Sequence, residues 1–438
     1  MRNHKIKMLC SMLALSLAPQ LAQATNGYFS HGYGMKSKGM AGVSTARTDD
    51  SFGGANNPAQ MAFVGDRLDI GIDWFSPKRS LERTGAAIPP LNGKVESGST
   101  NFFIPEFGYS KMINPNMAFG ITVYGNGGMN TDYDQGGFQC PTPTGTVAPA
   151  NALCGSGKLG VDLMQLIIAP TLAFKFNPNH AIGVSPLLGF QRFKAEGLHA
   201  FGMASSSPDN LTNRGYSTAT GFGVRIGYLG KVSNTVSIGA AYASKLKMGE
   251  FDKYKGLFAE NGGFDLPANF NIGIMVQATP ALSIGLDFQQ IKYSSIRAIN
   301  NPGANLFLPA PLGASNGPGF GWQDVDVVKV GAQFAVNDAL TVRAGYGKTD
   351  NPIRGSDVTF NILAPGVVQD HYTLGFTYAL DKSSEITMSY MHALKKSVTG
   401  TSLLTPLFMS QGGPANAAGT EKIEMYQNSL GIAWAKKF

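Results

Sequence analysis

From Asp66 to the C-terminus the chain alternates apolar and polar residues in short runs, and the connections between runs alternate too. Short turns fall at Asn114-Pro115-Asn116, Asn177-Pro178-Asn179, Ser233-Asn234-Thr235, Thr279-Pro280, Asn337-Asp338 and Asp381-Lys382-Ser383. Long connections lie near 78–98, 126–159, 196–215, 250–266, 296–322, 350–369 and 400–420. Six short and seven long connections join fourteen antiparallel strands. A period of 2 places alternate side chains on opposite faces. Leu68, Ile70, Ile72 and Trp74 thus oppose Asp69, Gly71 and Asp73, while Phe222, Val224, Ile226 and Tyr228 oppose Gly223, Arg225 and Gly227. Parity alone suits either a soluble sandwich or a membrane barrel.

Other features separate the two. Only 14% of residues are charged, against ~25% in ordinary soluble domains. No apolar run reaches the ~18 residues of a membrane helix. Arg2, Lys5 and Lys7 precede an apolar run from Met8 to Ala18, and Ala22-Gln23-Ala24 supplies a small-residue cleavage site. That is a secretory signal. An even strand number, short turns at one rim and long loops at the other then specify a fourteen-stranded transmembrane β-barrel of the Gram-negative outer membrane. The expected divisions are a signal peptide (1–24), an N-terminal hatch or plug (25–65) and the barrel (66–438).

The signal carries three of the seven net positive charges. The remaining cations are scattered, which is no basis for nucleic-acid binding. Cys140 and Cys154 share one Pro/Gly/Ala-rich loop, and in an exported chain a local disulfide is the expected state, with two free thiols as the alternative.

Residues 26–61 differ from everything after them: rich in glycine, poor in β-branched residues and without sustained period. Such a segment is compact irregular chain, and it is the one sizeable mature piece outside the strand repeat. Three prolines, Pro105, Pro170 and Pro186, fall inside expected strands. Each lacks a ladder donor, so each marks a bulge or a local gap. Gly120 and Gly125 weaken the third strand, making a side opening there one reading and ordinary bulges the other. Among inward positions, Arg225, Lys329 and Arg343 either pair with Asp69, Asp73, Glu106 and Asp287 or meet an anionic ligand. Leu198, Phe201 and Met203 in one loop and Leu257 and Phe258 in another either form an outer apolar groove or cover each other.

Catalytic patterns are missing. Gly347-Lys348-Thr349 lacks the earlier glycine of a phosphate-binding loop, position 342 being Val. Gly155-Ser156-Gly157 has no strand-to-helix context for a nucleophile elbow. His31, His180, His199, His371 and His392 have no metal-ligand spacing. No enzyme activity, metal or cofactor is expected.

The mature start Thr25-Asn26-Gly27-Tyr28-Phe29, the run GYGMKSKGMAGVSTA from Gly32 to Ala46, and Asn57-Pro58-Ala59-Gln60-Met61 just before the first strand resemble the FadL family of outer-membrane channels for long-chain fatty acids and aromatic hydrocarbons. The resemblance implies a monomeric barrel plugged by its N-terminal hatch, with a ligand site near the N-terminus and a weaker groove among the loops. It also implies a lateral window at a kinked third strand, faced by Asn57, Pro58 and Ala59. Expected partners are a hydrophobic small molecule, long-chain fatty acid ahead of aromatic hydrocarbon, and the membrane lipid. A surface receptor without transport, or a polar porin, are the rival classes.

Overall fold

The computed structural model describes residues 26–142 and 146–438; the expected signal peptide lies outside them. Fourteen strands form the wall: β1 (Arg67–Thr84), β2 (Phe102–Asn114), β3 (Met117–Tyr133), β4 (Leu159–Asn177), β5 (His180–Glu196), β6 (Ser217–Lys231) and β7 (Val236–Ala243). They continue with β8 (Asn269–Gln277), β9 (Leu282–Ile291), β10 (Val325–Ala335), β11 (Leu340–Thr349), β12 (Asp370–Ala379), β13 (Ser384–Thr401) and β14 (Thr420–Lys437). Each strand pairs antiparallel with the next, and β14 returns to β1 with Arg67 opposite Lys437 and Thr84 opposite Thr420. The sheet is closed. No helix among the described residues is long and apolar enough to cross a membrane; the strands do the crossing, because closure gives every wall strand two partners.

The period-2 parity decides which face each residue takes. Ile70, Ile72 and Trp74 of β1, Phe222 and Ile226 of β6, Tyr372 and Leu374 of β12, and Leu430, Ile432 and Trp434 of β14 are exposed on the outside. Asp69, Asp73, Glu106, Arg225, Asp287, Lys329 and Arg343 are buried. The apolar outer band matches a hydrocarbon surround, where polar side chains are costly.

Asn26 to Gly65 threads the lumen. Its contacts reach opposite walls: Met35 meets Ser389 and Gly431 on β13 and β14, and Asn57 donates to the Tyr228 carbonyl on β6. The large apolar cluster sits toward the long-loop rim, where Tyr28 and Phe29 join Phe258, Tyr293, Trp322 and Phe360. Cys140 and Cys154 form a disulfide, Cα atoms 5.5 Å apart, within the loop after β3.

Candidate functional site

A collar of inward glycines seats the N-terminal segment. In β10, β11, β9 and β8 the residues facing it are Gly331, Gly345, Gly285 and Gly273, abutting Met40, Ala41, Val43 and Thr45. Gly239, Gly227 and Gly183 do the same for Thr45, Asn57 and Pro58, Gly108 for Ser51, and Gly120 for Met61. A β-carbon on Gly285 would stand 2.5 Å from Val43 Cγ1, and one on Gly331 2.7 Å from Met40 Cβ. Without side chains, the wall lets the segment's backbone approach at this height. The sequence signal was available, since these glycines follow the inward parity, but nothing local says that chain rather than water fills the space.

Buried charge fixes the segment's register. Lys38 Nζ lies 2.9 Å from Asp73 and 3.5 Å from Glu106, and Lys36 lies 2.7 Å from Glu385. Asp287 accepts from the Ser44 and Thr45 amides at 2.8 and 2.9 Å, and Asp69 from the Ser51 amide at 3.0 Å. The inward acids expected to pair with lumen cations instead hold the plug.

The wall parts between β2 and β3. Their ladder ends at Phe107 opposite Val123, so Glu106 would face Tyr124 at the first missing position and Pro105 would face Gly125 at the second. β3 bulges against β4 between Gly125 and Gly127. Above that point it pairs with the N-terminal segment: Phe29 bridges Gly127, Gly128 donates to the Tyr28 carbonyl and Ser30 to that of Asn126. Gly125 is at the break. Gly120 is not: it sits in the paired part, opposite Ser110 and Thr171. Nor do Asn57, Pro58 and Ala59 face this break. They pack on β4, β5 and β6, because Asn57 is tied to Tyr228 and Thr45. Residues 28–30 and Tyr33 face the break instead, Tyr33 Oη donating to the Asn126 carbonyl at 3.1 Å.

Beside that contact lies a small cavity of about 10 Å³ lined by Phe29, Tyr33, Arg225, Asp287, Gln289 and Lys329, among others. Two of the three expected cations therefore meet. Arg343 stands apart, donating to Thr377 at 2.7 Å, nearer Arg47 and Glu385. Lys329 donates to Gln289 at 3.0 Å. Among the described residues, Arg225 reaches only the Gly54 carbonyl, at 3.4 Å, and its Nε is buried without a partner. Nearby, the Tyr33 and Tyr124 rings pack at 4.6 Å, and Tyr124 Oη is likewise buried and without a partner among the described residues. Above, Tyr28 packs against Tyr293 at 5.2 Å and Trp322 at 6.0 Å, edging a second small cavity of about 10 Å³ with Met129 and Met425. This aromatic group comes from three distant stretches with no shared motif, and the sequence reading missed it.

At the long-loop rim, Leu198, Phe201, Leu257 and Phe258 line one apolar pocket of about 40 Å³ with Phe320 and Phe360. Met203 does not join them. It is fully exposed, because the turn of 3-10 helix His199–Ala204 points Phe201 and Met203 to different sides.

The profile of the outer-membrane transport protein family OMPP1/FadL/TodX matches residues 14–407. Among solved structures, the toluene transporter TodX of Pseudomonas putida aligns at a TM-score of 0.68 and 17% identity, covering 93% of this chain and 99% of that one. A FadL homologue of Pseudomonas aeruginosa aligns at 0.66 and 16%, covering 96% and 100%, and the toluene transporter TbuX of Ralstonia pickettii at 0.62 and 18%, covering 93% and 99%. A search of curated proteins by sequence gives no match. Such identities establish the fold, and the profile match establishes the kinship: the chain belongs to the OMPP1/FadL/TodX family of Gram-negative outer-membrane barrels that transport hydrophobic compounds.

Proposed function

We propose that this chain takes up long-chain fatty acids passively, by capture in the Leu198–Phe258 pocket, transfer to the Arg225 cavity, movement of the N-terminal hatch and sideways exit into the membrane. Arg225 carries the reading. A buried guanidinium is expensive to leave unpaired, yet among the described residues it has no carboxylate at salt-bridge distance and one long hydrogen bond. A ligand carboxylate would supply charge-assisted bonds to Arg225, with Lys329 on the same cavity and the Tyr124 hydroxyl nearby as a further donor. Asp287 also lines the cavity, and its Oδ2 is engaged by Ser44 and Thr45. An alkyl chain avoids a cost of ~0.8 kcal/mol per CH₂ in water by moving from one apolar surface to the next.

A second reading, uptake of monoaromatic hydrocarbons, is supported by the toluene transporters among the structural neighbours and by the Tyr28, Tyr293 and Trp322 rings. Binding of oleate, methyl oleate and toluene to the purified protein and to Arg225→Met separates the two. The fatty-acid reading expects Arg225→Met to weaken oleate by roughly 10- to 100-fold, the worth of one charged hydrogen-bond set, and to leave methyl oleate unchanged. Equal affinity of wild type for acid and ester would sink it.

A further inference from the structure

The wall contains a second break, and it lies under Asn57-Pro58-Ala59. β4 and β5 pair continuously from Gly160 opposite Glu196 to Ile168 opposite Leu188, and again from Leu172 opposite Val184, with no pairing between. The same register would set Pro170 against Pro186. Two prolines in one hydrogen-bonded pair remove both of its N–H donors, which also cancels the rungs on either side. Three successive positions on each strand are therefore unpaired across this seam, while β3–β4 and β5–β6 run through it intact.

What closes the seam is side chain and hatch. The Thr171 and Ser185 hydroxyls, fully buried, share a hydrogen bond of 2.7 Å across it. On the lumen side, a β-carbon on Gly54 would meet Thr171 Oγ1 at 2.9 Å and Ala169 Cβ at 3.0 Å. Beside it, Pro58 and Asn57 press on Gly183 and Gly227, where the wall is only backbone thick. On the membrane side, Leu172 and Val184, the first rung below the seam, belong to an apolar groove of about 740 Å³ with Phe174, Ile182, Ile226 and Tyr242. The β2–β3 break is already occupied, by Tyr28 to Ser30 along β3 and by Ile104 at Gly125.

We infer that the Pro170–Pro186 seam is an exit gate: when the hatch shifts from Gly54 to Ala59, an alkyl chain leaves between β4 and β5 into the apolar groove on the membrane face. This rests on the sideways exit proposed above. Opening here breaks one hydroxyl bond and no backbone bond, whereas any fully paired stretch would lose several ladder bonds in a medium without water to replace them.

The test is a disulfide across the seam. Thr171→Cys with Ser185→Cys, in the full chain, places two thiols on directly opposed residues. Thr377→Cys with Thr387→Cys is the control, because those residues are also directly opposed inward threonines, 2.8 Å between hydroxyls, in an unbroken ladder. Cells expressing each are assayed for oleate uptake, oxidised and reduced, with cross-linking checked by mass spectrometry and oleate binding measured on purified protein. The expected result is loss of uptake in the oxidised seam variant, recovery on reduction, retained binding, and normal uptake in the oxidised control. Pro170→Val with Pro186→Val, which restores both N–H donors, should slow uptake without any cross-link. Full uptake by the cross-linked seam variant overturns the gate, as does equal loss in the control. Absence of oleate binding and uptake in the wild type would instead overturn the fatty-acid reading.

Discussion

A β-carbon at Gly331 would lie 2.7 Å from Met40 Cβ and 2.8 Å from the Met40 carbonyl oxygen, so at this position absence of a side chain is itself the contact. Gly331→Val should overpack the seat of the plug by about 1–3 kcal/mol. The expected sign is faster proteolysis of the N-terminal segment with the barrel intact; unchanged proteolysis would mean the collar is slack. Lys38 makes the complementary case. Its ammonium faces Asp73 and Glu106 with 3% of its side chain exposed, and Lys38→Met leaves two buried carboxylates without their cation. Breaking a buried pair from one side costs about 3–5 kcal/mol. The loss should appear as a lower midpoint for release of the segment in denaturant, and a variant as resistant as wild type would count against the latch. Met203 shows the limit of residue-level reading: an apolar residue in a loop carries no parity to say which way it points.

Among elements, the N-terminal segment differs from the strands in how it is held. The strands have a backbone ladder, whereas the segment depends on caps, ion pairs and single bridges. Its Asp50 is pushed up to about 6, first by burial and then by the neighbouring Asp49 charge. Asp49 itself, despite burial, is held well below the usual carboxylate range by Arg47 and Lys36, and so stays ionised. A carboxyl whose folded pKa exceeds its unfolded ~4 binds its proton more tightly when folded. Its contribution is fully present below ~4 and is lost as pH rises through about 6. The segment should therefore resist protease better at pH 5 than at pH 7.5, and Asp50→Asn should erase the difference. Persistence of the full difference in that variant would assign it to other groups. At the same scale, Pro105, Pro170 and Pro186 were legible as interruptions, because a missing N–H is a property of the residue alone. Which ladder each interrupts was not, since that depends on the partner strand.

For the molecule as a whole, closure makes the barrel a pore, and we propose that the N-terminal segment shuts it. Removing residues 26–56 should turn an electrically silent protein into a steadily conducting one in planar bilayers, with Lys329, Arg343 and the inward acids lining the path. Steady conduction by the wild type would contradict a sealed lumen.

Strand number, the parity of each strand and the even alternation of turns and loops came from the sequence by itself, because period 2 and turn chemistry are local and repeat along the chain. The glycine-rich stretch was recognisable as non-strand for the same reason. Only the tertiary structure brought Arg225 and Lys329 to one cavity while leaving Arg343 outside it, set Tyr28 against Tyr293 and Trp322, and moved Asn57-Pro58-Ala59 from the β2–β3 break to the β4–β5 seam. Those juxtapositions join residues up to hundreds of positions apart. They are settled by ring closure and by where a short irregular segment finds glycine to lie against, and neither is written in any local pattern.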